Sequence, residues 1–369
     1  MISGFKLANH LKLFYYYRLK FLTIFWRVFA LYFKNRWFWG VGAANRLFEA
    51  PHFFMSESQH QNLTSREWFI IINPNAGNQA AARIWPLVKS RLNDLKVKFN
   101  SKLTSRPGDG KRISQDVLRM GCRNLIIFGG DGTHHEVING IMSYTPDDAQ
   151  QISYAIFPCG TGNDFARHFN IPRDIEVWLH YINSAISLPI DIGQINAEKE
   201  DSFYFVNEAG IGLEYEVALR IAGTGGSSNG RARYLLETLK ILLTYRGVML
   251  KIHSEDQLYK GQFWNLTVAN GRFLGGGFQL CPSANATDGK LAITGVRYVS
   301  PWRLIKDIFH FFNGKINQLP YVDIRESSRI IVEPHGHEVL LMEVDGEIRG
   351  SLPAEFTVLR NAINFFVPV

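Results

Sequence analysis

Three times in the first half of this chain, a short β-branched and aromatic run ends in a polar loop bearing glycine, and the loop leads into a helical pattern. No other feature restricts the fold as much. Trp68-Phe69-Ile70-Ile71-Ile72 runs into Asn73-Pro74-Asn75-Ala76-Gly77, with a helix expected from Gln79 to Leu92. Asn124–Phe128 runs into Gly129-Gly130-Asp131-Gly132-Thr133, with a helix from His134 to Met142. Tyr154–Pro158 runs into Gly160-Thr161-Gly162-Asn163-Asp164, with a helix over Phe165–Phe169. Strand, loop and helix in repetition predict a parallel sheet with helices on its faces. In such sheets ligands sit at the carboxyl ends of the strands, where all three loops fall.

Glycine lets main-chain N–H groups approach phosphate oxygens closely, and a helix N-terminus adds a favourable partial charge. A carboxylate beside such a loop repels phosphate unless it holds a cation or takes a proton. One glycine turn after a strand is ordinarily only a tight turn. Three in order, two of them carrying Asp131 and Asp164, point to a nucleotide site. No GxxxxGKS/T is present and no GxGxxG follows the first strand, which argues against a P-loop enzyme and a dinucleotide oxidoreductase. The HRD and DFG signatures of protein kinases are also missing. Cys122, Cys159 and Cys281 lack CxxC spacing, which speaks against a disulfide framework or zinc site and for a reducing compartment.

From Leu188 the texture changes to short alternating runs with frequent turns: Phe203–Asn207, Gln262–Asn270, Lys290–Val299, Ile330–Glu333, Val339–Val344 and Phe356–Leu359. These predict an antiparallel sandwich, interrupted by helices over Arg231–Tyr245 and Pro301–Phe312. The glycine-rich stretch 223–230 before the first of these helices could gate a cleft. Leu235, Leu236, Leu239, Leu242 and Leu243 on that helix could wall an acyl cleft, core packing being the commoner role. The expected organisation is an appendage over 1–55, a linker over 56–66, an α/β nucleotide domain over 67–187 and a β-sandwich domain over 188–369.

The net charge is +7, and residues 1–50 carry all of it, with eight basic residues against Glu49 alone. A nucleic-acid binder would carry such charge on the fold itself, so no nucleic-acid partner is expected. The same segment is rich in Phe, Tyr and Trp, and Lys20, Arg27 and Lys34 recur every seven residues, on one side of a helix. Its charge-free run Phe21–Trp26 falls far short of the ~20 apolar residues a spanning helix needs. Interleaved basic and aromatic residues fit a helix lying on an anionic membrane surface. The alternatives are an extension packed on the protein's own body or on a second subunit in a homodimer, and a single spanning anchor with Arg27 snorkelling to an interface.

NPNAG (73–77), GGDGTHHEVING (129–140) and PCGTGNDFARHFNIP (158–172) resemble the diacylglycerol kinase catalytic domain family. That family includes bacterial soluble lipid kinases, sphingosine kinases and ceramide kinases, and is related in fold to NAD kinases and phosphofructokinases. The resemblance covers roughly residues 66–369 and leaves the appendage unmatched. It implies an ATP-dependent lipid kinase with Mg2+, cytoplasmic and peripheral at the cytoplasmic face of the membrane. The favoured acceptor is diacylglycerol, with a sphingoid base, ceramide or phosphatidylglycerol as alternatives. A catalytically inactive nucleotide- or lipid-binding protein is the reading of a different class, and the presence of Asp131, Asp164 and Glu347 weighs against it.

The resemblance also implies roles. Asn73, Gly77, Arg83, Thr104, Gly129, Gly130, Asp131, Gly132, Thr133, His134, His135, Gly160, Thr161, Gly162, Asn163 and Asp164 would line the nucleotide. Arg83 would supply phosphate-facing charge because Asn78 stands where many relatives carry Lys or Arg. His134 and His135 would be helix N-terminal residues near phosphate. Asp131 and Asp164, with Asp191, would organise Mg2+, and a further magnesium site would use Asp288 with the carbonyls of Asn285 and Lys290. Glu347 would take the acceptor proton, with Asp131 as the alternative base. Taken alone, Asp288-Gly289 and Asp345-Gly346 read as hairpin turns.

Overall fold

The computed structural model describes residues 63–198, 200–222, 230–254 and 257–368. The basic appendage, most of the 56–66 stretch and the glycine-rich stretch 223–229 therefore lie outside the described residues. The first half runs β1 (Glu67–Ile72), α1 (Ala76–Asp94), β2 (Lys98–Leu103), α2 (Asp109–Arg119), β3 (Asn124–Gly129), α3 (Asp131–Tyr144), β4 (Ser153–Pro158), α4 (Asp164–His168) and α5 (Ile175–Ser184). Its strands are parallel in the order β2-β1-β3-β4. β3 and β4 are covered on both faces, which is why they read as unbroken apolar runs. β2 is an edge strand, exposed at most positions, and its sequence KFNSKL carries no hydrophobic signal. The 56–66 stretch does not stay polar to its end: Leu63 is buried, and its carbonyl accepts the Trp68 indole N–H at 3.0 Å.

The second half contains β5 (Ile186–Ala197), β6 (Phe203–Phe205), β7 (Glu208–Gly212), α6 (Leu213–Ala222), α7 (Gly230–Ile241), β8 (Val248–Ser254), β9 (Gln257–Ala269), β10 (Leu291–Arg297), α8 (Pro301–Phe312), β11 (Val322–Ser327), β12 (Arg329–Pro334), β13 (Leu341–Val344), β14 (Glu347–Ser351) and β15 (Ala354–Val367). These strands pair antiparallel among themselves, as expected for this half.

β15 is the seam. Its first part pairs with β12 and β5, and its last residues, Asn364 and Phe365, lie parallel beside Ser153 and Tyr154 of β4. One strand thus feeds both cores. Phe356 packs in the core with Phe205, Ile211 and Val268, and Phe365 in the core with Ile71, Phe128 and Tyr154. The Phe365 ring lies 5.1 Å from the rings of Tyr154 and Phe169 and 5.5 Å from Phe165. Each such fully buried ring contributes about 1.5–3 kcal/mol, so the strand that joins the halves is also well anchored in each.

Candidate active site

The three loops meet at the carboxyl ends of β1, β3 and β4. Just past β1, the Asn73 amide donates to Thr133 Oγ1 at 2.9 Å, tying the first loop to the second. Gly77 follows in the left-handed region (φ 60°), and a Cβ there would collide with the Cys159 carbonyl, so the first loop also rests on the third. Asn78 and Gln79 continue left-handed, and regular helix begins after them. Arg83 donates to the Asn78 carbonyl at 3.1 Å, bracing this loop. Thr104, at the end of β2, donates its N–H to Ile72 O at 2.8 Å on the same edge.

The second and third loops touch through main chain. A Cβ on Gly130 would lie 2.7 Å from the Gly160 Cα, and one on Gly160 would lie 2.5 Å from the Gly130 Cα. The Asn163 amide closes the third loop by donating to Gly160 O at 2.7 Å. This contact delivers two carboxylates to one place. Asp131 Oδ1 accepts the Asp164 N–H at 2.9 Å, and a Cβ on Gly162 would lie 2.8 Å from Asp131 Oδ2 and 3.2 Å from Asp164 Oδ2. Burial, and then the charge of Asp164, push the Asp131 carboxyl up to about 7. Two crowded oxygens that resist shared negative charge are a donor set suited to a hard divalent cation. Asp164 is held in turn by the Gly276 N–H at 2.6 Å and by Arg167 at 3.7 Å.

Glu347 reaches this region from the other half. Asp345 and Gly346, with φ of 50° and 94°, make the tight turn between β13 and β14, and Glu347 is the first residue of β14. Its carboxylate lies 3.8 Å from His135 Nε2, and His135 stands one helical turn after Asp131 on α3. Asp131 and Glu347 therefore bracket one helix face. Burial pushes the Glu347 carboxyl up, and the neighbouring His135 and Arg349 oppose that rise.

The two histidines part company. His134 is buried, with its ring stacked on Tyr154 at 5.0 Å and tilted against Phe165 at 5.0 Å. Burial pushes its pKa down to about 3, so it is a neutral core residue. Its main chain nevertheless stays at the glycine loops, the His134 N–H donating to the Gly130 carbonyl at 3.1 Å in the first turn of α3. His135 is equally buried, but its Nδ1 is 3.0 Å from Asp345 Oδ2.

Asp191 is gathered with the Asn285–Lys290 loop. Its Oδ2 accepts the Gly289 N–H at 2.6 Å, and its Oδ1 accepts the Asn361 N–H at 2.8 Å. Asp288 in that loop accepts the Lys290 N–H at 3.0 Å, and burial raises its carboxyl. Asp191 thus anchors the loop to β15, and its charge adds to the rise of the Asp288 carboxyl. On α7, Leu239 is buried and Leu236 exposed; just past its end Leu242 is buried and Leu243 exposed.

Sequence reasoning missed three further acids. Glu208, Glu214 and Glu343 are buried with one ligand atom of each lying within 4.8 Å of the others. Burial raises all three, Glu214 to about 8 and Glu343 to about 7, and the charge of Glu343 adds to the rise of Glu208 and Glu214. Glu343 also accepts the Gly346 N–H and so fixes the turn that presents Glu347. Only their spacing relative to the β13–β14 turn could have flagged them, and that spacing does not exist in one dimension.

Residues 67–195 match the family model of the diacylglycerol kinase catalytic domain, and residues 210–367 match that of the YegS C-terminal NAD kinase beta sandwich-like domain. The chain belongs to the diacylglycerol kinase catalytic domain family. It is a lipid kinase. A diacylglycerol kinase of Staphylococcus carnosus (strain TM300) is 26% identical over 299 residues, covering 81% of this chain and 94% of the relative. One from Bacillus subtilis (strain 168) is 26% identical over 300 residues, covering 81% and 95%. A crystal structure of a diacylglycerol kinase from Bacillus anthracis str. Sterne superposes with a TM-score of 0.60 at 22% identity, over 82% of this chain and 96% of that one, a likeness of fold. Among the described residues of this lipid kinase, no helix is long and apolar enough to cross a membrane.

Proposed function

We propose that this kinase transfers the γ-phosphoryl group of ATP to the free hydroxyl of diacylglycerol, giving phosphatidic acid. The observation that carries this reading is the bracketing of one face of α3 by Asp131 and Glu347, from opposite halves of the chain. Phosphoryl transfer needs little covalent chemistry from the protein; it needs aligned oxygens, neutralised charge and somewhere for a proton to go. The glycine loops supply main-chain N–H groups for the phosphates. Asp131 and Asp164 would hold Mg2+, which when bound neutralises phosphate charge. Glu347 takes the hydroxyl proton as the new P–O bond forms and ADP leaves. The choice of acceptor rests on the relatives named diacylglycerol kinase, which align over nearly their whole length.

Labelled ATP offered with diacylglycerol, sphingosine, ceramide or phosphatidylglycerol in mixed micelles tests the acceptor. Label should appear in phosphatidic acid at the highest kcat/KM. Transfer to another of the four lipids in preference would replace the acceptor, and no ATP consumption with any of them would remove the kinase reading.

The basic aromatic segment supports a second element of the proposal, docking on an anionic membrane face. Deleting residues 1–55 should lower co-sedimentation with phosphatidylglycerol-containing vesicles by at least about tenfold, since each of its basic residues near such a surface is worth about 1 kcal/mol. Activity on micelle-dispersed substrate should persist. Undiminished vesicle binding after the deletion would exclude the segment as the anchor.

A further inference from the structure

We propose that His135 is a positioning residue: an imidazolium clamped by Asp345 that aims the Glu347 carboxylate and keeps it ionised. This rests on the reading of Glu347 as proton acceptor.

The clamp begins with Asp345. Its Oδ1 accepts the N–H groups of Asn207 and Glu208 at 2.9 Å each, and its Oδ2 accepts the N–H of Val206 at 2.9 Å. A carboxylate with three main-chain donors stays ionised. Burial opposes that charge, but the His135 hydrogen bond and these donors hold the Asp345 carboxyl below its ordinary value. Its Oδ2 is also 3.0 Å from His135 Nδ1, so that ring nitrogen must carry a proton.

The other nitrogen then decides the charge. Nε2 faces Glu347 Oε2 at 3.8 Å; the Asn139 amide nitrogen lies 3.3 Å from Nε2 but donates to the carbonyls of His135 and Tyr204 at 3.0 and 2.8 Å, so a proton on Nε2 makes an ion pair with Glu347. The ring thus lies between two anions, with Glu343 and Glu136 adding negative charge nearby and Arg349 of β14 opposing. Burial alone would neutralise the ring, yet Asp345 and Glu347 outweigh it and His135 is raised above its ordinary value. The side chain of His135 is only 2% exposed and that of Glu347 is 44% exposed, so the cation is fixed and the base is the part free to meet substrate. During transfer, the acceptor oxygen bonds to the γ-phosphorus, the bond from that phosphorus to the β,γ-bridging oxygen breaks, and the hydroxyl proton passes to Glu347. His135 keeps its protons throughout; its charge favours the anionic base before the step and helps it shed the proton to solvent afterwards.

The sign follows. Removing the cation raises the Glu347 pKa, so the acidic limb of the kcat/KM profile moves to higher pH. His135→Asn in the full chain should shift that limb upward by about one unit, in line with an opposite charge within 4–6 Å. On the acidic side of that limb kcat/KM should fall about tenfold, with a smaller loss at neutral pH; KM for ATP should hold, and activity should recover toward wild type in alkaline buffer. His135→Gln, closer in length, gives the same readout should the Asn variant unfold. A loss of kcat with an unmoved acidic limb, or no change at all, would overturn the proposal. Glu347→Gln is the companion: if it retains activity, the choice of base was wrong, whereas an inactive Glu347→Gln beside an unshifted His135→Asn profile refutes the role of His135 alone.

Discussion

Glu347→Gln lowers kcat by about 10²–10⁴-fold, the range for removing a positioned general base, while the affinity for ATP stays close to that of the unaltered kinase. The split follows from where the carboxylate comes from. The glycine loops are held by Asn73, Thr133, Gly160 and Asn163 among themselves, with no hydrogen bond to Glu347. Its side chain is 44% exposed, so the amide substitution leaves an unpaired buried group nowhere and Tm should move by no more than about 0.5 kcal/mol allows. Asp131→Asn behaves differently. Asp131 shares its site with Asp164 at the lip of the nucleotide loop, so its loss should weaken ATP·Mg2+ binding and turnover together. Single-turnover kinetics with calorimetric nucleotide binding separate the two. Near-normal turnover by Glu347→Gln, with Asp131→Asn dead at saturating ATP, would transfer the proton-accepting role to Asp131.

How much of this was legible in one dimension depended on where each residue's reason lies. Strands covered on both faces announced themselves: Ile70–Ile72, Leu125–Phe128 and Tyr154–Phe157 are buried runs of their own accord. β2 did not, because an exposed edge asks nothing apolar of its sequence. β5 and β15 were hard to see at full length, since the pairing of β15 with β5 shifts register between Leu359 and Ile363 and breaks the period of two. In the site, Asp131 and Asp164 stood out because carboxylates are unwelcome in phosphate loops. Asp345 was legible only as a turn, which it is; its second role depends on a histidine 210 residues away. His134 could not be told apart from its neighbour in one dimension. Adjacent helical residues point about 100° apart, so when His135 turns toward Asp345 the ring before it is sent into the aromatic core.

The back-to-back glycines give the other large effect. Neither Gly130 nor Gly160 has a left-handed φ, so what each position requires is absence of bulk. A methyl on Gly130 would meet the Gly160 Cα at 2.7 Å, and one on Gly160 would meet the Gly130 Cα at 2.5 Å and Asn163 Oδ1 at 2.7 Å. The obstacle is main chain in both cases and cannot swing aside, so the two loops must separate. Overpacking of this kind costs about 1–3 kcal/mol, and the functional cost is greater because the same contact sets the Asp131–Asp164 pair. Displacing reacting groups by about 1 Å can cost about 10²-fold. Gly130→Ala and Gly160→Ala should each raise KM for ATP and reduce kcat/KM on that scale, with Tm lowered. Gly132→Ala is the control for stability, since a Cβ there meets no atom within 4 Å and Tm should hold. Equal Tm and equal kcat/KM in Gly130→Ala and the parent would mean that the loops do not pack on each other, and the carboxylate pair would lose its physical basis.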